Sequence, residues 1–232
     1  MEVIPGIHLV DGSLGCNVYL ILDENITLVD AGLPGNSVII ERYLKKIGRA
    51  PKDIEQIFLT HYHPDHIGAV PELHRKYGCH IAIHSIEAPY VEGRLPATTL
   101  RTWGAVGTAL SLAHQVIPLS PVPVASPLQD GSVFGGSGKG LAIHTPGHTA
   151  GSLCLYLPDR RLLFTGDALV HTPLGLDLAG FPVTVDRRQG HRSLLRLTEF
   201  SIETLCFGHG SPTLAGGDAA LSGFLQTVIR RR

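Results

Sequence analysis

The stretch HYHPDH, residues 61–66, carries three histidines and an aspartate within six positions. It follows DIEQIFLT (residues 53–60), which reads as a buried strand. After it, Ile67, Val70, Leu73 and Tyr77 mark one helical face that stops at Gly78. The cluster therefore sits at a strand-to-helix junction. In extended backbone alternate side chains share a face, which groups His61, His63 and Asp65 and turns His66 elsewhere. Pro64 limits the freedom of the short loop. Asp65 and His66 fall beside the helix N-terminus, whose field favours an ionised carboxylate. Imidazole and carboxylate donors suit Zn, Mn or Fe, and no thiolate in the cluster pulls toward zinc alone.

Three further candidates share a second context. His148 lies in TPGHT (145–149), Asp167 in FTGD (164–167) and His209 in FGHG (207–210). Each follows a strand signal and is framed by glycine, which permits tight turns and close backbone approach. Together, His61, His63, Asp65, His66, His148, Asp167 and His209 read as the ligand set of one site for two metal ions.

Outward from these motifs, strands and helices alternate in each half of the chain. Residues 16–21 and 26–30 read as a hairpin with its turn at 23–25. Val38, Ile39, Tyr43, Leu44 and Ile47 form a helical stripe ending at Gly48. HIAIH (80–84) is another strand. Residues 140–144, 152–157 and 161–165 follow as strands, the last two joined by the turn 158–160. A helix over 189–200 carries Leu194, Leu195 and Leu197, and SIETLCFG leads as a strand into His209. The last helix, 217–229, buries Leu221, Leu225 and Val228 and ends in three arginines that suit a helix C-terminus. Residues 88–124 carry proline-rich pieces around a short helix at 103–113. Helices need sheet faces to cover, so two packed sheets with helices outside, in one domain over residues 1–232, is the expected solution.

Composition narrows the partners. With 44% apolar residues and 27 glycines the chain should fold with many tight turns. A net charge of -1 favours neither nucleic acid nor an anionic membrane. The N-terminus MEVIPGIHLVDG lacks the pattern of a signal peptide. The charge-free stretch 102–129 holds His114 and four prolines, so it reads as loop and short elements, not as a membrane helix. Cys16, Cys79, Cys154 and Cys206 are widely spaced and read as buried free thiols, which fits a cytoplasmic location. No pattern fixes an oligomeric state; a homodimer through an apolar patch is compatible with the composition.

HYHPDH, TPGHTAGS, LLFTGD and FGHG closely resemble the motifs of the metallo-β-lactamase superfamily, from the N-terminal hairpin through GHGSP. The resemblance implies an α/β fold, a four-layer αβ/βα sandwich with metals at one edge of two sheets. It implies that His61, His63 and His148 hold a first ion, that Asp65, His66 and His209 hold a second, and that Asp167 bridges them. Asp30 resembles a family aspartate that braces the metal loops. Two divalent ions are implied, zinc first, with Fe or Mn as alternatives. Their shared hydroxide would attack an acyl carbon, with Asp65 as a catalytic residue that orients the nucleophile and carries a proton. No SxxK, GxSxG or Cys/His arrangement offers a covalent route.

The substrate is read less directly. The chain is similar to glyoxalase II-like proteins, which implies a small acyl substrate such as a thioester or lactone. Only 20 residues follow GHGSP, too few for the C-terminal helical domain with which glyoxalase II grips glutathione. Lactonases of the superfamily carry a tyrosine three residues after the bridging aspartate; here Val170 stands there, with His171 next to it as a partial substitute and candidate catalytic residue. Classical β-lactamases usually lack a bridging carboxylate such as Asp167, which disfavours a β-lactam. A phosphodiesterase or nuclease is the first alternative, and it would call for a basic surface that this composition does not show. Diiron oxidoreductase relatives place Glu where Pro64 stands, and persulfide dioxygenase relatives hold a single iron with two His and one Asp. A metal-stabilised sensor or binding protein is the non-enzymatic alternative. Pocket walls are expected from residues 88–124 and 169–185, with Trp103, Tyr90, Leu174, Leu176 and Phe181 as apolar contacts.

Overall fold

The structure, a computed structural model, describes residues 1–95, 119–135, 140–180 and 183–230. Its first sheet takes seven strands in sequence order: β1 (Glu2–Ile4), β2 (Ile7–Leu9), β3 (Tyr19–Leu22), β4 (Ile26–Val29), β5 (Ile54–Phe58), β6 (His80–His84) and β7 (Ser126–Leu128). β1 to β4 pair antiparallel, as short connections allow. β4 to β7 pair parallel, which requires crossovers. Helix α1 (Asn36–Lys46) makes the first crossover, and α2 (Pro64–Ile67) with α3 (Val70–Tyr77) makes the second. Helix α4 (Ala88–Val91) follows β6.

The second sheet is built from β8 (Val133–Phe134), β9 (Gly140–His144), β10 (Leu153–Leu157), β11 (Leu162–Gly166) and β14 (Thr204–Phe207). Its order is β14-β11-β10-β9-β8, with β11 and β14 parallel. A separate hairpin joins β12 (Val170–Thr172) to β13 (Gly175–Asp177), and α5 (Arg187–Arg196) and α6 (Gly217–Arg230) complete the half.

Alternation along the strands produces the layers. Tyr19, Ile21, Val29 and Phe58 point into the space between the sheets, where they meet Leu153, Leu155, Leu157 and Phe164. Their neighbours Leu20, Leu28 and Ile57 face the other way, onto Ile40, Leu44 and Leu73 of α1 and α3. On the second sheet Cys154, Leu163, Leu205 and Phe207 likewise turn outward onto Leu194, Leu221 and Leu225 of α5 and α6. Rings lock the two sheets together: Tyr19 meets Phe164 at 5.3 Å and Phe58 meets Phe134 at 5.2 Å, both edge to face. Each such buried ring contributes about 1.5–3 kcal/mol by leaving water. The result is the expected four-layer sandwich.

Some expectations shift. Val38 is exposed, because it lies opposite the stripe that Ile40, Tyr43 and Leu44 bury. Leu195 is exposed as well, since Leu194 and Leu197 occupy the inward face. Val228 is half-buried at the end of α6. The single helix after HYHPDH is two, α2 and α3. The four cysteines are free and buried. Among the described residues no helix is long and apolar enough to cross a membrane. The helix expected at 103–113 and the arginines at 231 and 232 lie outside the described residues.

One consequence of the topology positions the site. Asp30 follows β4, HYHPDH follows β5, Asp167 follows β11 and His209 follows β14. These are the carboxyl ends of the parallel strands of both sheets, brought to one edge of the sandwich.

Candidate metal centre

Three imidazoles converge at this edge. His61 Nε2, His63 Nδ1 and His148 Nε2 lie 2.9–3.1 Å from one another. Their outer nitrogens fix two of the three tautomers. Thr60 Oγ1 donates to Asp30, so it accepts from His61 Nδ1 at 3.1 Å. Thr184 Oγ1 donates to the Ala179 carbonyl, so it accepts from His148 Nδ1 at 3.2 Å. The bare Nε2 atoms of His61 and His148 therefore face each other, lone pair to lone pair, at 3.1 Å. Burial holds His61 and His63 well below the ordinary imidazole range and pulls His148 down to about 4. All three rings are neutral near pH 7, the state a metal ion requires. Nitrogens bound tetrahedrally to one zinc ion stand about 3.3 Å apart, close to the spacing here.

A second group adjoins the first. His66 Nε2, His209 Nε2 and Asp65 Oδ2 stand 3.4–3.8 Å from their neighbours in it. Asp30 Oδ2 accepts from His66 Nδ1 at 2.8 Å, which turns Nε2 toward Asp65 and Asp167. Asp167 stands between the groups. Its Oδ1 is 3.4 Å from both His66 Nε2 and His209 Nε2, and its Oδ2 is 3.5 Å from His148 Nε2. His66 Nε2 and Asp167 Oδ1 are fully buried and have no hydrogen-bond partner. Buried polar atoms are rarely left so, and a cation between them would satisfy both. The donor set thus fits divalent ions in two neighbouring positions.

The electrostatics agree with this division. Burial opposes ionisation of Asp167, but His66, His209 and His148 outweigh it and hold the carboxyl well below its usual range. Burial likewise opposes protonation of His209, but Asp167 and Asp65 push that imidazole up to about 9.

All seven sequence-predicted ligand candidates meet at this site, with one regrouping. Asp65 does not share a face with His61 and His63; it stands with His66 and His209. Alternation ends where helix α2 begins at Pro64, so Asp65 and His66 both lie in its single turn. His171 departs further. On β12 Val170 and His171 point to opposite sides; Val170 lines the cavity over the metal groups, while His171 Nδ1 donates to the Ser211 carbonyl at 2.8 Å. A catalytic part for His171 has no geometric support.

That cavity is about 220 Å³ and is walled on its apolar side by Val170, Ala179 and Val183. The stretch 169–185 therefore supplies walls as expected, through other side chains than those named. Tyr90 instead stacks on Tyr62 at 4.2 Å, Leu176 packs on the outer core, and Leu174 is fully exposed at the hairpin tip. Trp103 and Phe181 lie outside the described residues.

Sequence reasoning missed the side chains that carry the loops. Asn17 donates through Nδ2 to the carbonyls of Phe207 and Gly210, at 2.9 and 2.7 Å, and its backbone N–H donates to Gly208. Tyr19 Oη adds a bond to Phe207 at 3.0 Å. These contacts tie the His209 loop of the second sheet to the first sheet. Gly208 passes so near the centre that a Cβ there would lie 2.4 Å from Asp167 Oδ1.

Comparison with known proteins places this architecture. The model of the metallo-beta-lactamase superfamily matches residues 11–209. "Probable metallo-hydrolase YflN" of Bacillus subtilis (strain 168) is 31% identical over 231 residues, spanning 91% of this chain and 86% of that relative. A hydroxyacylglutathione hydrolase of Fuscovulum blasticum is 32% identical over 158 residues, spanning 67% of this chain and 48% of that enzyme. Among solved structures, a metallo-beta-lactamase family protein from Thermus thermophilus superposes with a TM-score of 0.73 at 23% identity, covering 99% of this chain and 81% of that one. BJP-1, a subclass B3 metallo-beta-lactamase of Bradyrhizobium japonicum, superposes with a TM-score of 0.73 at 20% identity, covering 100% of this chain and 90% of that one. At these identities the two structures speak for the fold alone. A family match across most of the chain, together with the sandwich and its converging His/Asp groups, establishes that this chain belongs to the metallo-beta-lactamase superfamily.

Proposed function

We propose that the chain is a dinuclear metal-dependent hydrolase of small acyl substrates, thioesters or lactones. The observation that carries it is the Asp167 carboxylate, with one oxygen turned to each ligand group. His61, His63 and His148 would hold one ion and Asp65, His66 and His209 the other, with the Asp167 carboxylate placed to serve both. Histidine-rich donors suit zinc first, with Fe or Mn as alternatives. When bound, such an ion pair supplies an ionised water nucleophile at neutral pH and neutralises charge growing on the substrate oxygen.

The chain's own side chains prepare that chemistry. Asp30, Thr60 and Thr184 fix the ring orientations of His66, His61 and His148. Asp65 lines the cavity, and its pairing with His209 keeps it ionised against the opposing effect of burial. It therefore serves as a hydrogen-bond acceptor that orients water, and as a weak base at most. Val170, Ala179 and Val183 offer an apolar wall to an acyl group, and a cavity of about 220 Å³ suits a small one. The hydroxyacylglutathione hydrolase relative, whose name specifies an acyl group carried on glutathione, supports the same class of substrate.

The test is metal analysis of active protein, coupled to a panel of thioester, lactone and phosphodiester substrates. Acyl hydrolysis that tracks metal content is expected. Asp167→Ala should lose metal from both positions and reduce kcat by about 100-fold or more. Full turnover by metal-free protein, or by Asp167→Ala, overturns the proposal.

A further inference from the structure

Glu87, between β6 and α4, is buried to 1% exposure. Its carboxylate meets two loops from opposite halves of the chain. Oε2 accepts from the backbone N–H of Tyr62 at 2.8 Å. Oε1 accepts from the backbone N–H of Gly151 at 2.9 Å and from Thr149 Oγ1. Tyr62 lies between His61 and His63, and Thr149 follows His148. Among the described residues no ion pair reaches Glu87; burial pushes its carboxyl up to about 7, and these three donors oppose that cost without cancelling it. The approach is close enough that a Cβ on residue 151 would lie 2.6 Å from Glu87 Cγ, and a glycine stands there.

The second ligand group is held by other residues. Asp30 orients His66, and Asn17 anchors the His209 loop. Neither touches Glu87. Asp30 also reaches the first group, through Thr60 and His61, whereas the hydrogen bonds of Glu87 go only to the loop of His61 and His63 and the loop of His148.

Resting on the metal positions proposed above, we infer that Glu87 is a positioning residue dedicated to the first of them. It sets the distance between the loop of His61 and His63 and the loop of His148. In Glu87→Gln either orientation of the amide turns its NH2 toward a backbone N–H, so one donor always loses its acceptor. The two loops should separate, and the nitrogens of the first group with them.

The experiment measures zinc affinity by competition with a chromophoric chelator in two backgrounds. His209→Ala leaves the first group whole, and His148→Ala leaves the second whole. Adding Glu87→Gln should weaken zinc about ten- to a hundredfold in the His209→Ala protein. It should change affinity less than about threefold in the His148→Ala protein. Thr149→Val removes one donor and should give a partial loss in the first background; Thr149→Ser keeps the hydroxyl and should restore wild-type affinity. These milder variants retain the test if Glu87→Gln does not fold. Equal weakening in both backgrounds would make Glu87 a general structural residue and overturn the inference, as would no weakening in either. Absence of zinc binding by the wild-type chain would instead remove the metal centre itself, a distinct result that sinks both.

Discussion

His209 and His66 are the candidate ligands whose rings carry an extra proton when no metal is present. In the metal-free protein, despite its burial, Asp167 and Asp65 hold His209 protonated up to about pH 9. Burial also opposes protonation of His66, yet Cys16, Asp30 and Asp167 raise it. Ligation needs neutral rings, so an ion entering the second group must expel these protons. Affinity there should rise with pH up to at least about 9, where His209 loses its proton, with a tenfold gain per unit for each proton displaced. Calorimetry in two buffers of different ionisation enthalpy should show one to two protons released per ion bound at the second group at pH 7; uptake with no release would contradict the assignment. The seven ligand candidates were legible because His and Asp framed by Gly after strand signals are chemically conspicuous. Their division into two groups was legible only through the family resemblance, since alternation misplaced Asp65 by ignoring the helix that Pro64 starts. Asn17 was not legible at all. Its partner Phe207 is 190 positions away, and nothing in a lone Asn announces a carbonyl so distant.

Helix α5 shows how one element holds a ligand loop. Its N-cap is Asp186, whose side chain accepts from the Gln189 N–H at 2.9 Å. The backbone N–H of Asp186 donates to the Gly147 carbonyl, that of Val185 donates to His148, and Ser193 Oγ donates to Pro146. The TPGHT loop is thus stitched to the first turns of α5. Losing a capping carboxylate costs about 0.5–2 kcal/mol. For a chain of this size about 1 kcal/mol lowers Tm by roughly 2–4 °C. Asp186→Ala should show that drop in thermal melts followed by circular dichroism, and Asp186→Ser should recover most of it. An unchanged Tm would mean that the loop, not the cap, fixes the start of α5. The existence of most elements was legible from hydrophobic period. Their inward faces were less so. The stripe through Val38 counted apolar residues without weighing which of them share a side, and Ile40 rather than Val38 faces the sheet. Residues 88–124 carried too little periodicity to read, because prolines interrupt it.

The candidate ligands come from both sheets, so the proposed ions act as cross-links between halves of the sandwich. His61, His63, Asp65 and His66 follow the first sheet's β5, while His148, Asp167 and His209 follow strands of the second. The layered fold itself was legible, because strands buried on both faces need a helix layer on one side and a second sheet on the other. That the parallel strands of both sheets end at one edge was not, since pairing order cannot be read from local pattern. This placement has a thermodynamic consequence. The unfolded chain scatters the seven residues, so ions bind the native state almost exclusively and stabilise it by mass action. At a free zinc concentration 100 times Kd, each position adds about 2.7 kcal/mol, and each further tenfold adds about 1.4 kcal/mol. At roughly 2–4 °C per kcal/mol, two filled positions should raise Tm by about 10–20 °C over chelated protein. Removing the ions also leaves the bare nitrogens of His61 and His148 opposed at 3.1 Å, which works in the same direction. A thermal shift series against buffered free zinc should therefore climb steadily in the wild type and much less in Asp167→Ala. A wild-type Tm that stays flat across the series would mean that the two halves are held by their apolar core alone and that no ion joins them.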